Sequence, residues 1–170
     1  MKIMGVDPST RTGVVVLENS PEYVRYSSEI PCNAKHRGFP RSLLIMENFH
    51  DILTKENPDL VVFEAYGYGS QSLALMVEIG TLLRLCCVQY ETSYIEVAPT
   101  KLKKIITGKG NAGKELMMLD VYKRFSFDAS TNNIADAFGL AIVGLIYKGY
   151  AVQLPKVQLQ LVTRNPESLL

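Results

Sequence analysis

Runs of apolar residues change period along this chain, and the changes mark its elements. Residues 2–6 and 13–18 are two apolar runs around a Pro8-Ser9-Thr10 turn, which predicts a hairpin. Tyr23 to Ile30 alternates and predicts a third, antiparallel strand. Pro31 to Pro40 is a polar connection. From Arg41 to Glu56 the apolar positions Leu43, Leu44, Met46, Phe49, Ile52 and Leu53 have helical spacing, and Asn57-Pro58 stops that helix because proline cannot continue it. Leu60 to Phe63 is short and continuously apolar, the mark of a strand buried on both faces. Gln71 to Tyr90 predicts a long helix that is apolar on more than one face, so it is buried or sits at an interface. Residues 94–98 predict another strand. Helices are then expected over Lys101–Ile106, Lys114–Phe125 and Ile134–Tyr150. The class is α/β, a mixed sheet with helices on its faces.

The 170 residues suit one domain, taken as 1–150, with 151–170 as a loosely attached tail. A hydrophobic share of 47% and a charged share of 21% fit an ordinary globular chain. No run of 18 apolar residues predicts a membrane span, and no signal-peptide pattern opens the chain. Cys32, Cys86 and Cys87 have no metal spacing and suggest no disulfide, and His36 and His50 are solitary. The expected setting is a reducing cytoplasm.

Charge becomes informative once it is placed. Asp7 ends the first strand, Glu64 ends the Leu60–Phe63 strand, and Asp136 lies near the start of the last apolar helix. One such carboxylate can simply cap a turn. Three, each beside a buried element, can meet in space, and a gathered cluster costs stability unless a cation neutralises it. Oxygen ligands of this kind suit Mg²⁺ or Mn²⁺. Two such ions can hold the attacking and leaving oxygens of a phosphodiester. There is no activated cysteine, no Ser-His-Asp pattern and no Walker loop, so metal-assisted hydrolysis matches the residues present. Lys101, Lys103, Lys104, Lys109 and Lys114 fall in a stretch without an acid, around a loop containing Gly108, Gly110, Asn111 and Gly113. A solvated helix face is the plain alternative, but glycines that let the backbone approach a phosphate favour nucleic-acid contact.

The Asp7 strand-turn, Phe63-Glu64, the Gly108-Lys109-Gly110-Asn111-Ala112 loop and Asn133-Ile134-Ala135-Asp136-Ala137 occur in an order and spacing that resembles RuvC-type Holliday junction resolvases, most of all those carried by bacteriophages. The resemblance covers residues 1 to about 148. It implies an RNase H-like five-stranded sheet, a homodimer and Mg²⁺- or Mn²⁺-dependent cleavage of four-way DNA. It also implies Asp7, Glu64 and Asp136 as catalytic metal ligands and no nucleotide cofactor. Lys103 and Lys114 match lysines that lie near the family's active site. The helix after the tyrosine loop is similar to the family's dimer helix, so Leu75, Ile79, Leu82 and Leu83 are the expected interface. An aromatic after Glu64 would stack on an unpaired base. Tyr66 and Tyr68 both qualify, and one of them is expected to pack under the loop instead.

The chain departs from the family at Asn133, where a fourth ligand, usually Asp, is expected three residues before Asp136. Three accounts stand open. Asn133 ligates as a neutral carbonyl, a neighbour such as Asp128 substitutes, or Asn132 or Asn133 replaces an aspartate in an inactivated chain. The matching alternative function is a junction binder that does not cut. The Asp7-Pro-Ser-Thr turn also resembles the phosphate loop of actin-like ATPases, but those folds need a second such loop and greater length. A purely structural dimer would leave the three carboxylates unexplained.

Overall fold

In the computed structural model, which describes residues 1–30, 37–66 and 73–163, the strands fall where the apolar runs put them. The elements are β1 (Lys2–Asp7), β2 (Gly13–Glu18), β3 (Val24–Glu29), α1 (Phe39–Glu56), β4 (Leu60–Glu64), α2 (Leu73–Gln89), β5 (Tyr94–Val97), α3 (Pro99–Thr107), α4 (Lys114–Phe125), α5 (Asn132–Tyr147) and α6 (Lys156–Thr163). The sheet order is β3-β2-β1-β4-β5. β2 pairs antiparallel with β1 and β3, whereas β4 pairs parallel with β1 and β5. The mixed five-stranded sheet expected from the sequence is the one observed.

Alternation along the strands divides the core in two. Ile3, Val15, Leu17, Leu60 and Val62 pack on one face with α3, α4, α5 and α6. Met4, Val6, Val14, Val16, Val61 and Phe63 pack on the other with α1 and α2. Strands covered on both faces need apolar residues at every position, which is why β1, β2 and β4 read as unbroken runs.

Helix α5 lies directly on the sheet. Twelve of its residues are buried, so it is a core element rather than a surface helix. Its start is fixed by Thr131, whose side chain accepts from the Ile134 N–H at 3.3 Å. Two glycines permit the approach. A Cβ on Gly5 would stand 2.0 Å from the Ala137 carbonyl oxygen, and one on Gly13 would stand 2.2 Å from that of Asn133. Only residues without a side chain let backbone meet backbone at this distance.

Two expectations need correction. The tail is not loose throughout: α6 packs against α3 and α5, with Val162 fully buried and Leu159 and Leu161 against the same core. Its apolar residues are few and short in span, so they carried a weak helical signal. On α2, Ile79 and Leu83 are fully buried against the sheet within the single chain and have no surface to give a partner. Leu75 also packs on that core, and Leu82 is half-buried. The outward stripe is Val77, Thr81, Leu85 and Val88. A helix apolar all round does not reveal which side faces in. Among the described residues, no helix is long and apolar enough to cross a membrane.

Gly5→Ala is expected to destabilise the fold by about 3 kcal/mol or more, at the upper end of overpacking costs, because the added methyl meets backbone that cannot rotate away. Urea denaturation checks this, and a loss under about 1 kcal/mol would mean that α5 can lift off the sheet cheaply.

Candidate active site

The register of two parallel strands builds the centre of the site. Val6 of β1 pairs with Phe63 of β4, so the next residues, Asp7 and Glu64, end their strands side by side. The C-terminal ends of parallel strands are where open α/β sheets present ligand sites. Asp136 is delivered from above by α5, in the segment that Gly5 and Gly13 hold against the sheet. Asp7, Glu64, Asp136 and Asn133 line one cleft of about 220 Å³, together with Ser9, Met76, Pro99, Lys103 and Lys114.

Electrostatics in this cleft are strained. Burial, then the Asp136 charge, pushes Asp7 up to about 7, with smaller opposing help from Lys114. Burial, then the charge on Asp7, pushes Glu64 up to about 9. Burial also lifts Asp136 to about 6, although Lys103 and Lys114 both pull it back. A hydrogen bond between Asp7 and Glu64 favours the charged form of Asp7 and the neutral form of Glu64, so the two resist being ionised together. Among the described residues no three His, Cys, Asp or Glu side chains form a ready-made metal cage. The donor chemistry nonetheless fits a hard divalent cation. All three groups offer carboxylate oxygen, all are destabilised as anions, and the two at the strand ends are in contact.

The surroundings assign roles to other residues singled out by sequence. Lys103 and Lys114 stand in the cleft. Lys104, Lys109 and Asn111 are exposed, and Lys101 is half-buried. The basic loop is a tight connection between α3 and α4: Gly108, in the left-handed region at φ 82°, closes α3, and Thr107 Oγ1 accepts from the Lys109 N–H at 3.1 Å. Gly110 lies against Thr100, and Gly113 precedes the first turn of α4, where no side chain caps the open N–H groups. Asp128 is exposed and does not line the cleft, so it is no substitute ligand in this arrangement. Cys86 and Cys87 are free and buried, and burial raises both, Cys87 up to about 12, so neither is a thiolate nucleophile.

Tyr66 is half-buried and bonded to helix α2. Its hydroxyl accepts from Arg84 Nη1 at 3.1 Å and approaches the Val77 carbonyl at 3.4 Å, and the guanidinium lies 4.7 Å from its ring centre. Tyr68 lies outside the described residues. Arg84 itself was not foreseen. It is buried on α2, pairs with Glu96 at 2.7 Å and donates to the Glu64 carbonyl at 3.3 Å. A lone arginine in the run Leu82-Leu83-Arg84-Leu85-Cys86 is the available signal, because a buried cation requires a partner. Glu29 was also missed. It bonds to Arg11 and Asn133, and its charge reaches Asp7.

The raised carboxylates make stability depend on pH with a definite sign. Each acid holds its proton more tightly when folded, so the metal-free protein loses stability as pH rises from about 4 towards 9. Melting in EDTA is expected to fall by several degrees between about pH 5 and pH 8, and Mn²⁺ is expected to raise it more at the higher pH. Melting that is flat with pH, or a metal effect equal at both, would contradict the strained cluster.

A family model described as Crossover junction endodeoxyribonuclease RuvC matches residues 3–144. A protein of that name from Carboxydothermus hydrogenoformans is 29% identical over 159 residues, spanning 88% of this chain and 98% of its own length. Another, from Chlamydia muridarum, is 32% identical over 151 residues, spanning 82% and 88%. Among solved structures, Thermus thermophilus RuvC in complex with a Holliday junction substrate shares the fold with a TM-score of 0.72 at 19% identity, over 84% of this chain and 91% of that one. The fowlpox virus Holliday junction resolvase gives 0.53 at 13% identity, over 85% and 98%. With its sheet, its carboxylate-bearing strand ends and most of its length accounted for by one family model, the chain belongs to the RuvC family of crossover junction endodeoxyribonucleases.

Proposed function

We propose that this chain resolves four-way DNA junctions, and cuts related branched DNA such as forks and flaps, as a homodimeric metal-dependent endonuclease. The observation that carries the reading is the meeting of Asp7, Glu64 and Asp136 in one cleft walled by Lys103 and Lys114. Acids and lysines lining one cleft are what a phosphodiester and its metals require together.

Asp7, Glu64 and Asp136, with the Asn133 carbonyl as a neutral fourth donor, would hold Mg²⁺ or Mn²⁺. Two ions per site would supply water activation and relief of charge on the leaving oxygen. The remaining work belongs to the chain. Lys103 and Lys114 place positive charge where a scissile phosphate would enter and stabilise the extra negative charge that builds at phosphorus. Asp7 and Glu64, both raised, must ionise to serve as ligands, so activity should rise with pH. Lys101, Lys104, Lys109, Gly108, Gly110, Asn111 and the open first turn of α4 form an outer track for the DNA backbone. With Tyr66 engaged by Arg84, Tyr68 is the tyrosine to stack on an unpaired base, worth roughly 1–3 kcal/mol.

Two subunits would join through the outward stripe of α2. Val77, Leu85 and Val88 are 38%, 45% and 62% exposed, which is unusual for three apolar residues on one helix face and suits a partner there. The second reading, a binder that does not cut, draws on Asn133 alone.

Cleavage of a labelled four-way junction in Mg²⁺ or Mn²⁺ tests the proposal. Asp7→Asn is expected to lower the rate at least about 10³-fold while junction binding persists, since it removes a ligand and leaves the DNA track intact. Binding without cutting by the unaltered chain would favour the second reading. Lys103→Ala and Lys114→Ala should each weaken binding and reduce the salt slope by about one; an unchanged slope would return both to solvent. Leu85→Glu should give monomers by sedimentation, and a dimer of unchanged size would place the interface elsewhere.

A further inference from the structure

Asn133 occupies the wall between two clefts. On one side is the cleft of Asp7, Glu64 and Asp136. On the other is an open cleft of about 590 Å³ whose lining includes Arg11, Glu29 and Ser130. The Asn133 amide nitrogen spans this wall: it donates to the Arg11 carbonyl at 2.8 Å and to Glu29 Oε1 at 3.0 Å. Glu29 Oε2 is held in turn by Arg11, at 2.7 Å from both Nε and Nη2. Two acceptors converge on one atom of residue 133, and neither can donate. The amide nitrogen satisfies both, whereas a carboxylate there would face a carbonyl and a second carboxylate. Glu29 is 13% exposed at its side chain, so its charge is poorly screened, and it acts on Asp7 in addition to the larger effects of burial and Asp136.

We propose that Glu29 is a positioning residue of the carboxylate site: it orients the Asn133 amide and carries, at position 29, the negative charge that residue 133 does not bring. The inference rests on the metal-site reading above. Residues 29 and 133 are then a matched pair of one acid and one amide, and the matching is reciprocal. Moving the acid to position 133 is tolerated better if position 29 becomes the amide, although the Arg11 carbonyl still faces it. Arg11 serves the pair by holding Glu29, and through its own carbonyl it ties the β1–β2 turn to the start of α5.

The test is a double-mutant cycle on the full chain with Asn133→Asp, Glu29→Gln and both together. It is read by melting in EDTA and by calorimetric Mn²⁺ titration without DNA. Asn133→Asp alone should lower the melting temperature by several degrees, because it sets two carboxylates against each other. Glu29→Gln should lower melting only modestly, since its amide oxygen still accepts from Asn133 while its amide nitrogen displaces the exposed Arg11 side chain, but should weaken Mn²⁺ binding about 3- to 10-fold through the lost charge. The double variant should regain the Mn²⁺ affinity and part of the melting temperature, since the carboxylate at position 133 can accept from the new amide but still faces the Arg11 carbonyl. Additive melting effects would overturn the matched pair, and Mn²⁺ affinity unchanged in Glu29→Gln would overturn the charge role. An unaltered chain that binds no Mn²⁺ would remove the metal reading itself and Glu29's service to it, whereas the melting cycle would still decide whether the two residues are coupled.

Discussion

The site depends on one close contact, backbone against backbone, where α5 crosses β1 at Gly5. The sheet delivers two carboxylates through its own register, but the third comes from a helix, and a helix normally stands off a sheet by the length of its side chains. Gly5 and Gly13 remove that spacing under Ala137 and Asn133, one on each side of Asp136. The same contact sets Asn133 within hydrogen-bond reach of Arg11 and Glu29. Core packing and site geometry are therefore one constraint. The helix cannot shift to relieve the crowded acids without opening the core, and the core cannot loosen without separating the acids.

That rigidity explains how the cluster persists despite its cost. Three buried acids raised in pKa work against the folded state near neutral pH. A flexible site would relax by turning one carboxylate to solvent. Here two acids are fixed by strand ends and one by a helix buried along most of its length. A bound cation would relieve this strain, the arrangement expected where function and stability compete.

The fold was legible because β1, β2 and β4 are buried on both faces and write unbroken apolar runs, and because proline marks the stop of α1. The carboxylates were legible because Asp7 and Glu64 each close an apolar run and Asp136 lies near the start of one, and Lys103 and Lys114 stood out through the family resemblance. What stayed hidden is relational. Glu29 lies at the end of an ordinary alternating strand, and only pairing of β3 with β2, opposite Gly13, brings it beside Asn133. The facing of α2 could not be read from a helix with apolar residues on every side, so Ile79 and Leu83 were assigned outward when they point in. Asn133 looked like a loss on paper because its two acceptors belong to residues 11 and 29, far away in sequence.

Arg84 shows why the inward face of α2 matters to chemistry as well as to packing. Its guanidinium joins Glu96 of β5, the Glu64 carbonyl of β4 and the Tyr66 hydroxyl, so one buried cation fixes the backbone from which the Glu64 carboxylate projects. The opposite face of that helix turn carries Leu85 and Val88 to solvent. A partner seated on the outer stripe would bear on the helix that holds Glu64, because a packed helix moves as a unit rather than one residue at a time. Subunit association and carboxylate geometry would then be mechanically joined through a single side chain. Exposed salt bridges cannot provide such a link, since they yield to solvent, whereas Arg84 is buried between aromatic rings with its donors engaged.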